Sequence, residues 1–395
     1  MDENQIIDEL KAQGIDLVSA IPCDKAKGLF FRLPEEFRYI GLTREEDGVG
    51  ISAGAYLAGA RPLVAIQSSG IGNMLNAILS LTVTFGLPLP ILASWRGGEN
   101  EAIPAQIPFN RPLPRILAAA GIPYTILPDP GSVSAIGKEV AEAFAQKTPH
   151  VILLPPACLC ETACIAADLP PKKPRPFSLH YERDWRPPTM TRFEAIKTIA
   201  TRAVEEVLVA NIGVPSKELY VSHDRPENFY MLGSYTQASA IGLGIATVRP
   251  EKRVIILDGD GSLLGSAILP VIGAAAPKNL TIVALDNGVF GSTGNQPRPG
   301  ADTADLRLMA MAAGFPQTVT VHEPGELVSA IATSARNGPA FIHARIKPGN
   351  SDVPNIPLGP AQIRDRFMDA LQETGRLQRR SGVRPGSPKY SLMKM

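Results

Sequence analysis

The chain predicts two α/β domains, each a doubly wound parallel sheet covered by helices on both faces. Three observations carry that expectation: length, composition, and the alternation of short apolar runs with helical patterns. At 395 residues the chain is well beyond the roughly 150 residues of a one-domain prior. Hydrophobic side chains make up 45% and charged ones 19%, where about 25% charge is ordinary for folded proteins. That is enough apolar surface for sizeable cores and too little charge for a mainly disordered chain. Apolar runs that lack polar alternation are strands buried on both faces. Separated by helices, they pair in parallel through crossover connections.

In the first half the strand-like runs are Leu17–Ala20, Leu63–Gln67, Leu89–Ser94 and Val151–Leu154. Between them lie the helix-like segments Glu46–Gly59, Asn73–Phe85 and Val133–Gln146. Residues 166–190 break the alternation. Pro170, Pro171, Pro174, Pro176, Pro187 and Pro188 exclude a regular element there, and Pro-rich chain acts as a semi-rigid spacer. A first domain is therefore expected at 1–165 and a linker at 166–190. Alternation resumes with the helix-like Arg192–Val207 and Thr236–Val248. The strand-like Val254–Leu257, Thr281–Leu285 and Ala340–Ile346 complete a second domain over 191–365. The halves are similar in size and style, as a duplicated unit would be, although no repeat is readable residue by residue. Residues 366–395 are rich in Arg, Gly, Pro and Ser, and a basic, poorly ordered tail is expected.

Lys plus Arg number 39 against 38 Asp plus Glu, a net charge of +1. No nucleic-acid footprint follows from that balance. The opening Met1-Asp2-Glu3-Asn4 is not a signal peptide, and no apolar run nears the roughly 18 residues of a membrane span. The expectation is a soluble, cytoplasmic protein with neither nucleic acid nor membrane as partner. Four cysteines in so long a chain do not suggest a disulfide scaffold. Cys158, Cys160 and Cys164 lack a second ligand pair at zinc-site spacing and read as small buried or reactive thiols. The five histidines are scattered, and none stands out as an acid–base residue.

The sharpest local signal is Leu257-Asp258-Gly259-Asp260-Gly261-Ser262, directly after an apolar run. Asn287-Gly288 follows about one strand–helix–strand unit later. In a doubly wound sheet both turns would lie at the carboxyl ends of adjacent strands, where such folds bind ligands. An acid and an amide oxygen converging there suit Mg²⁺ or Ca²⁺. Gly261 and Ser262 open the next helix, so their amides can face an anion. Together these residues describe a metal–diphosphate site. An Asp-Gly pair alone is an ordinary turn; the Asn-Gly at matching separation raises its significance.

Asp258 to Ser262 plus Asn287 resembles the diphosphate- and magnesium-binding motif of thiamine-diphosphate-dependent enzymes. The first half carries the counterpart. The stretch from Thr43 to Tyr56 resembles their helix bearing the cofactor-activating glutamate, in which an aromatic follows the acid by ten positions. Tyr56 then points to Glu46, with Glu45 adjacent. Ile66–Asn73, Trp95-Arg96-Gly97-Gly98 and Phe229–Ser234 are similar to the sulfopyruvate/phosphonopyruvate decarboxylase family. Pro22-Cys23, Ile103–Pro108 and Gly291–Gln296 favour its sulfopyruvate branch. That family often divides its pyrimidine-binding and diphosphate-binding domains between two subunits; here both are joined head to tail. The resemblance implies two domains of the thiamine-diphosphate-binding fold, with thiamine diphosphate and Mg²⁺ as cofactors. It implies a carboxy-lyase converting 3-sulfopyruvate to sulfoacetaldehyde and CO₂, a step of coenzyme M biosynthesis. Phosphonopyruvate decarboxylation and a non-catalytic cofactor-fold binding protein are the alternatives. A dinucleotide-binding dehydrogenase lacks its Gly-x-Gly-x-x-Gly fingerprint here.

Carried over by resemblance, Glu46 would hydrogen-bond the cofactor's pyrimidine ring and the Gly233 carbonyl would hold its amino group. Tyr235, after Gly233-Ser234, would fold the cofactor where Met is expected, and Thr236 follows where Gly is expected. Gly259, Asp260, Gly261, Ser262 and Asn287 would receive the diphosphate, with Asp260, Asn287 and the Val289 carbonyl on magnesium. The substrate implied is a small 2-keto acid with a second anionic group at carbon 3. Arg96 follows an apolar strand run and precedes two glycines, where a guanidinium can reach a sulfonate or carboxylate. A surface ion pair is its other reading. Asn73 and Gln106 are further substrate candidates, set against helix-cap or loop roles. In relatives the two faces come from different copies. A homodimer or homotetramer with sites at the subunit interface is therefore expected, if the linker cannot bring a chain's own faces together.

Overall fold

The computed structural model describes residues 2–98, 101–159, 183, 186–334 and 338–380, the side chains of 373–380 excepted. In the first half, β1 (Leu17–Ala20), β2 (Arg38–Gly41), β3 (Pro62–Gln67), β4 (Leu89–Ser94), β5 (Tyr124–Ile126) and β6 (Pro149–Leu154) form one parallel sheet. Its strand order is β2-β1-β3-β4-β6-β5. The second half begins with β7 (Val207–Ala210), β8 (Asn228–Tyr230), β9 (Val254–Gly259) and β10 (Leu280–Asp286). A small antiparallel pair, β11 (Val289–Phe290) and β12 (Gln296–Pro297), precedes β13 (Gln317–Val321) and β14 (Ala340–Arg345). The second sheet is also parallel, and from its β8 edge the order is β8-β7-β9-β10-β14-β13. That is the pattern of the first sheet, a topological repeat invisible in residue identities.

Strands β1, β4, β6, β7 and β10 are buried along their whole length. With helices on both faces, neither side of such a strand needs polar residues, which is why these runs were readable. The edge strands β2 and β5 are partly exposed and carry weaker signals.

The helix-like Asn73–Phe85 is helical throughout: an α-helix, Ile71–Ala77, runs on into a π-helical stretch, Ile78–Val83. Two expectations are corrected. The helix Arg192–Ala200 stops short of Val207, because Val207 opens the fully buried β7. The tail does not begin at 366, because a helix spans Pro360–Arg380. Ile363, Phe367 and Leu371 recur every four residues and are buried, so this helix is docked by one apolar face. Residues 381–395, and the linker's 166–182 with 184 and 185, lie outside the described residues, as do Cys160 and Cys164.

The halves meet through the helix Glu45–Leu57, which follows β2, and the helix Ala238–Val248, which follows β8. These are topological counterparts. Glycine lets their backbones touch: a Cβ on Gly54 would lie 1.9 Å from the Ile241 carbonyl oxygen, and one on Gly244 would lie 2.1 Å from that of Ile51. Gly50 donates its N–H to Gln237 Oε1 at 3.0 Å. The C-terminal helix braces both halves. Its Arg364 donates to the carbonyls of Phe85 and Gly86 in the first half, and its Arg366 pairs with Asp224 in the second.

Candidate active site

Parallel pairing of β9 with β10 sets their carboxyl-terminal turns side by side. Asp260 opens a short helix (Asp260–Gly265) directly after β9, and the Gly288 N–H after β10 reaches its Oδ2 at 3.2 Å. The convergence of the Asp260 and Asn287 turns is therefore real. On the other side of β9 lies β7, and between them falls the switch point of the sheet, where doubly wound folds bind ligands. Asn211 follows β7, and a Cβ on Gly259 would lie 3.3 Å from its Nδ2. Gly213 next to it has φ +78°, a conformation that favours glycine. Sequence reasoning missed this turn; its signal was Asn-x-Gly after an apolar run. Asp258 serves the framework, since its buried carboxylate accepts from Ser239 Oγ at 2.6 Å and the Gly259 N–H at 2.9 Å.

Asp260 has a resident partner that the sequence did not announce. Arg298 is fully buried, with Nε 2.5 Å from Asp260 Oδ2 and Nη2 3.2 Å from Asp286 Oδ1. Asp286 also accepts from His343 Nε2 at 2.7 Å and Arg345 Nη1 at 2.8 Å. Burial opposes its ionisation, but His343, Arg345 and Arg298 outweigh burial and hold its carboxyl below the usual range. Burial and then repulsion from Asp286 push Asp260 upward, against the pull of Arg298. Both donors to Asp260, Arg298 Nε and the Gly288 N–H, reach its Oδ2. Asn287 Oδ1 accepts the Val289 N–H at 3.1 Å, which fixes that turn. A divalent cation with a diphosphate fits this donor set: a carboxylate oxygen, an amide oxygen, a carbonyl, and glycines that keep side chains away.

Gly233, Ser234, Tyr235 and Thr236 form the turn between β8 and the Ala238 helix. Ser234 and Thr236 have φ of +69° and +77°, which costs a side-chain-bearing residue roughly 1 kcal/mol or more. That cost is the physical reason glycine is expected at position 236. Thr236 is held there by its own hydroxyl, which donates to the Tyr235 carbonyl and accepts from Gln237 Nε2. The Tyr235 hydroxyl donates to the Gly261 carbonyl at 2.5 Å, so the 233–236 turn is tied to the Asp260 turn. Ser234 Oγ is buried with no partner among the described residues, a polar atom available to a ligand. A Cβ on Gly233 would lie 2.8 Å from the Ser80 carbonyl, which places this turn against the first half.

The first half faces that turn with acids. Glu46 accepts from Arg44 Nε at 3.1 Å through Oε2, and its Oε1 lies 3.4 Å from Thr236 Oγ1. Glu45 turns the other way, and its Oε2 accepts from Asn73 Nδ2 at 2.9 Å. Asp47 is buried with neither oxygen partnered among the described residues. Burial, with the Glu46 charge beside it, raises its carboxyl to about 7. Glu46 and the 233–237 turn thus meet within one chain. The glycine-lined contact of the Glu45 and Ala238 helices brings these two faces together in a single copy.

The substrate candidates divide. Arg96, at the end of β4, is only 2% exposed, so it is no surface ion pair. Its Nε and Nη2 grip the two oxygens of Glu101 at 2.7 and 2.9 Å, and its Nη1 meets Asp24 Oδ1 at 2.6 Å. Gln67 joins it to Gln106: Arg96 Nη1 lies 3.4 Å from Gln67 Oε1, and Gln67 Nε2 lies 3.2 Å from Gln106 Oε1. Cys23, a buried free thiol, sits 2.9 Å from Ser94 Oγ in the same cluster. Asn73 instead belongs to Glu45. Asp24 and Glu101 were not marked from the sequence, since neither lies in a recognisable motif.

Comparison with known proteins agrees with this arrangement. Residues 3–107 match the N-terminal TPP binding domain of thiamine pyrophosphate enzymes and residues 213–344 match the C-terminal one. Over 378 residues the chain is 44% identical to the sulfopyruvate decarboxylase of Methanosarcina acetivorans, covering 93% of this chain and 97% of that protein. The chain belongs to the sulfopyruvate decarboxylase family of thiamine pyrophosphate enzymes. A phosphonopyruvate decarboxylase of Streptomyces viridochromogenes is more distant within that family, at 32% identity over 91% of this chain and 92% of its own. The fold is shared more widely. The thiamine diphosphate-dependent 4-hydroxybenzoylformate decarboxylase of Rhodococcus jostii RHA1 superposes with a TM-score of 0.68 at 13% identity, over 88% of this chain and 99% of its own. The first matched region contains Glu46 and Arg96, and the second contains the 233–236 turn, Asp260 and Asn287. Among the described residues no helix is long and apolar enough to cross a membrane.

Proposed function

We propose that this chain decarboxylates 3-sulfopyruvate to sulfoacetaldehyde and CO₂, with thiamine diphosphate and Mg²⁺, as a cytoplasmic step of coenzyme M biosynthesis. One observation carries the choice of substrate: 44% identity along nearly the full length of a sulfopyruvate decarboxylase, against 32% for the phosphonopyruvate enzyme. When bound, thiamine diphosphate supplies the sink for the electrons released as CO₂ leaves. Asp260 Oδ1, Asn287 Oδ1 and the Val289 carbonyl would hold the cation. Gly259, Gly261 and Ser262 would line the diphosphate. The Gly233 carbonyl would accept a hydrogen bond from the pyrimidine amino group, and Tyr235 would support the bend of the cofactor. Glu46, facing the same turn, would accept the hydrogen bond from the pyrimidine ring nitrogen. Arg96 and Gln106 would meet the substrate's anionic end, with Asn73 nearer the acid helix.

A second reading of the activating acid rests on a specific observation. Glu45 accepts only from Asn73, through Oε2, while Glu46 is held by Arg44 through Oε2 and has Thr236 Oγ1 3.4 Å from Oε1. Turnover of Glu46→Gln and Glu45→Gln separates them. The activating position loses about 10²- to 10⁴-fold in kcat while retaining cofactor affinity, and the other position keeps most of its rate. The contact of Glu46 with the 233–237 turn within one chain supports a site built from a single copy, and a homodimer or homotetramer would then join complete sites. The test of the overall reading is a parallel turnover assay with 3-sulfopyruvate and 3-phosphonopyruvate, with thiamine diphosphate and Mg²⁺ present. Cofactor-dependent CO₂ release with preference for 3-sulfopyruvate supports it. Preference for the phosphonate, or no CO₂ from either with cofactor bound, rejects it.

A further inference from the structure

The Arg96 cluster holds more negative charge than its one guanidinium balances. Glu101 and Asp24 both bind it, and 3-sulfopyruvate would add a carboxylate and a sulfonate. Arg96 is only 2% exposed, and an anionic group that takes the outward Nη1 edge of its fork takes the place of a resident carboxylate. The two are held very differently. Glu101 is 7% exposed and accepts from Arg96 Nε and Nη2, from the Ile103 N–H at 3.0 Å and from the Gly97 N–H at 3.4 Å. It clips its own loop and is not free to move. Asp24 is 53% exposed, and its carboxylate accepts from Arg96 Nη1 at 2.6 Å and, weakly, from Cys23 Sγ at 3.7 Å. It sits just after β1, on the outward edge of the fork, beside Gln67.

We infer that Asp24 is an internal stand-in for the substrate's anionic group, covering the open edge of Arg96 until substrate displaces it. The inference rests on Arg96 being the substrate's anion site, as proposed above. A site that must first shed its own carboxylate binds more weakly by the fraction of time it is covered. Asp24 also opposes a nearby dianion by charge alone. It is thus a specificity-determining residue: an anion that cannot outcompete a carboxylate at Arg96 is excluded.

The experiment uses the holoenzyme with thiamine diphosphate and Mg²⁺, wild type beside Asp24→Asn, Asp24→Ser and Arg96→Gln. The probe is 3-sulfolactate, a 2-hydroxy analogue with no ketone to decarboxylate, titrated by calorimetry. KM and kcat for 3-sulfopyruvate are measured in parallel. Both Asp24 variants are expected to bind 3-sulfolactate about three- to tenfold more tightly, with KM falling by a similar factor, while Arg96→Gln loses binding. Unchanged or weaker binding in both Asp24 variants, with Arg96→Gln still defective, overturns the displacement. So does a collapse of kcat at unchanged affinity, which would put Asp24 in the chemistry. Wild-type binding by Arg96→Gln would instead remove the substrate role of Arg96 itself, and the inference with it.

Discussion

The two halves of the chain have one strand order and opposite chemistry. After the third strand of the first half comes Ser68-Ser69-Gly70, which leads to Asn73 beside Glu45. After the third strand of the second comes Gly259-Asp260-Gly261, against Asn287 and Arg298. The helix that follows the second strand opens on Glu45, Glu46 and Asp47 in the first half, but on Gln237 and no acid in the second. Fold alone therefore assigns no chemistry here. It supplies two equivalent places: a few residues give one a run of acids and give the other the Asp260 turn proposed above to receive a metal diphosphate. Because the contacting helices are counterparts, the acid face of one half lands on the 233–237 turn of the other.

The largest expected effect breaks the second half's role. Asp260→Ala removes the carboxylate of its turn, so thiamine diphosphate affinity in the presence of Mg²⁺ falls by about a hundredfold or more. Arg298 keeps Asp286 as partner, so the fold persists. Calorimetric titration showing wild-type cofactor affinity would contradict the assignment of the two halves.

A smaller effect tests the contact between them. A methyl group on Gly54 would lie 1.9 Å from a backbone carbonyl of the other half, and one on Gly244 would lie 2.1 Å from its counterpart. Gly54→Ala and Gly244→Ala should each destabilise by about 1 to 3 kcal/mol, read as a lower urea midpoint. A penalty confined to one of them would show that the contact is not the near-symmetric one described.

A third effect, confined to high pH, concerns an acid that the second half lacks. Asp47 in the folded chain sits at about 7 against an ordinary 3.8. Folding therefore disfavours its charged form. The penalty is absent near pH 4, grows as pH rises and is complete above pH 7. Asp47→Asn should melt close to wild type near pH 4 and clearly above it at pH 8. The gain there is up to about 4 kcal/mol. Melting curves at the two pH values check it, and a gain that does not depend on pH would assign the effect to something other than charge.

Much of this molecule was legible because burial on two faces writes a strand as an uninterrupted apolar run. Val254–Gly259 and Leu280–Asp286 were readable for that reason, and the Asp260 and Asn287 turns followed from them. The less legible features are made by long-range return of the chain. Arg298 comes back to Asp260 across 38 residues from a Pro-Arg-Pro turn with no periodic signal. Asp24 reaches Arg96 across 72 residues. The Pro360–Arg380 helix was hidden by its charged surface, although Ile363, Phe367 and Leu371 had the spacing of a docked face. The contact of the halves rests on glycines, which mark close approach but never name the partner.

The claim that one chain builds a whole site from its two halves is tested most directly by mixing Glu46→Gln chains with Asp260→Ala chains, after verified subunit exchange, and measuring decarboxylation. With both faces supplied by the same copy, each chain keeps its own defect and the mixture stays as inactive as its parts. Activity regained toward a quarter or more of wild type would show that Glu46 of one copy works with Asp260 of another, and would contradict the single-chain site.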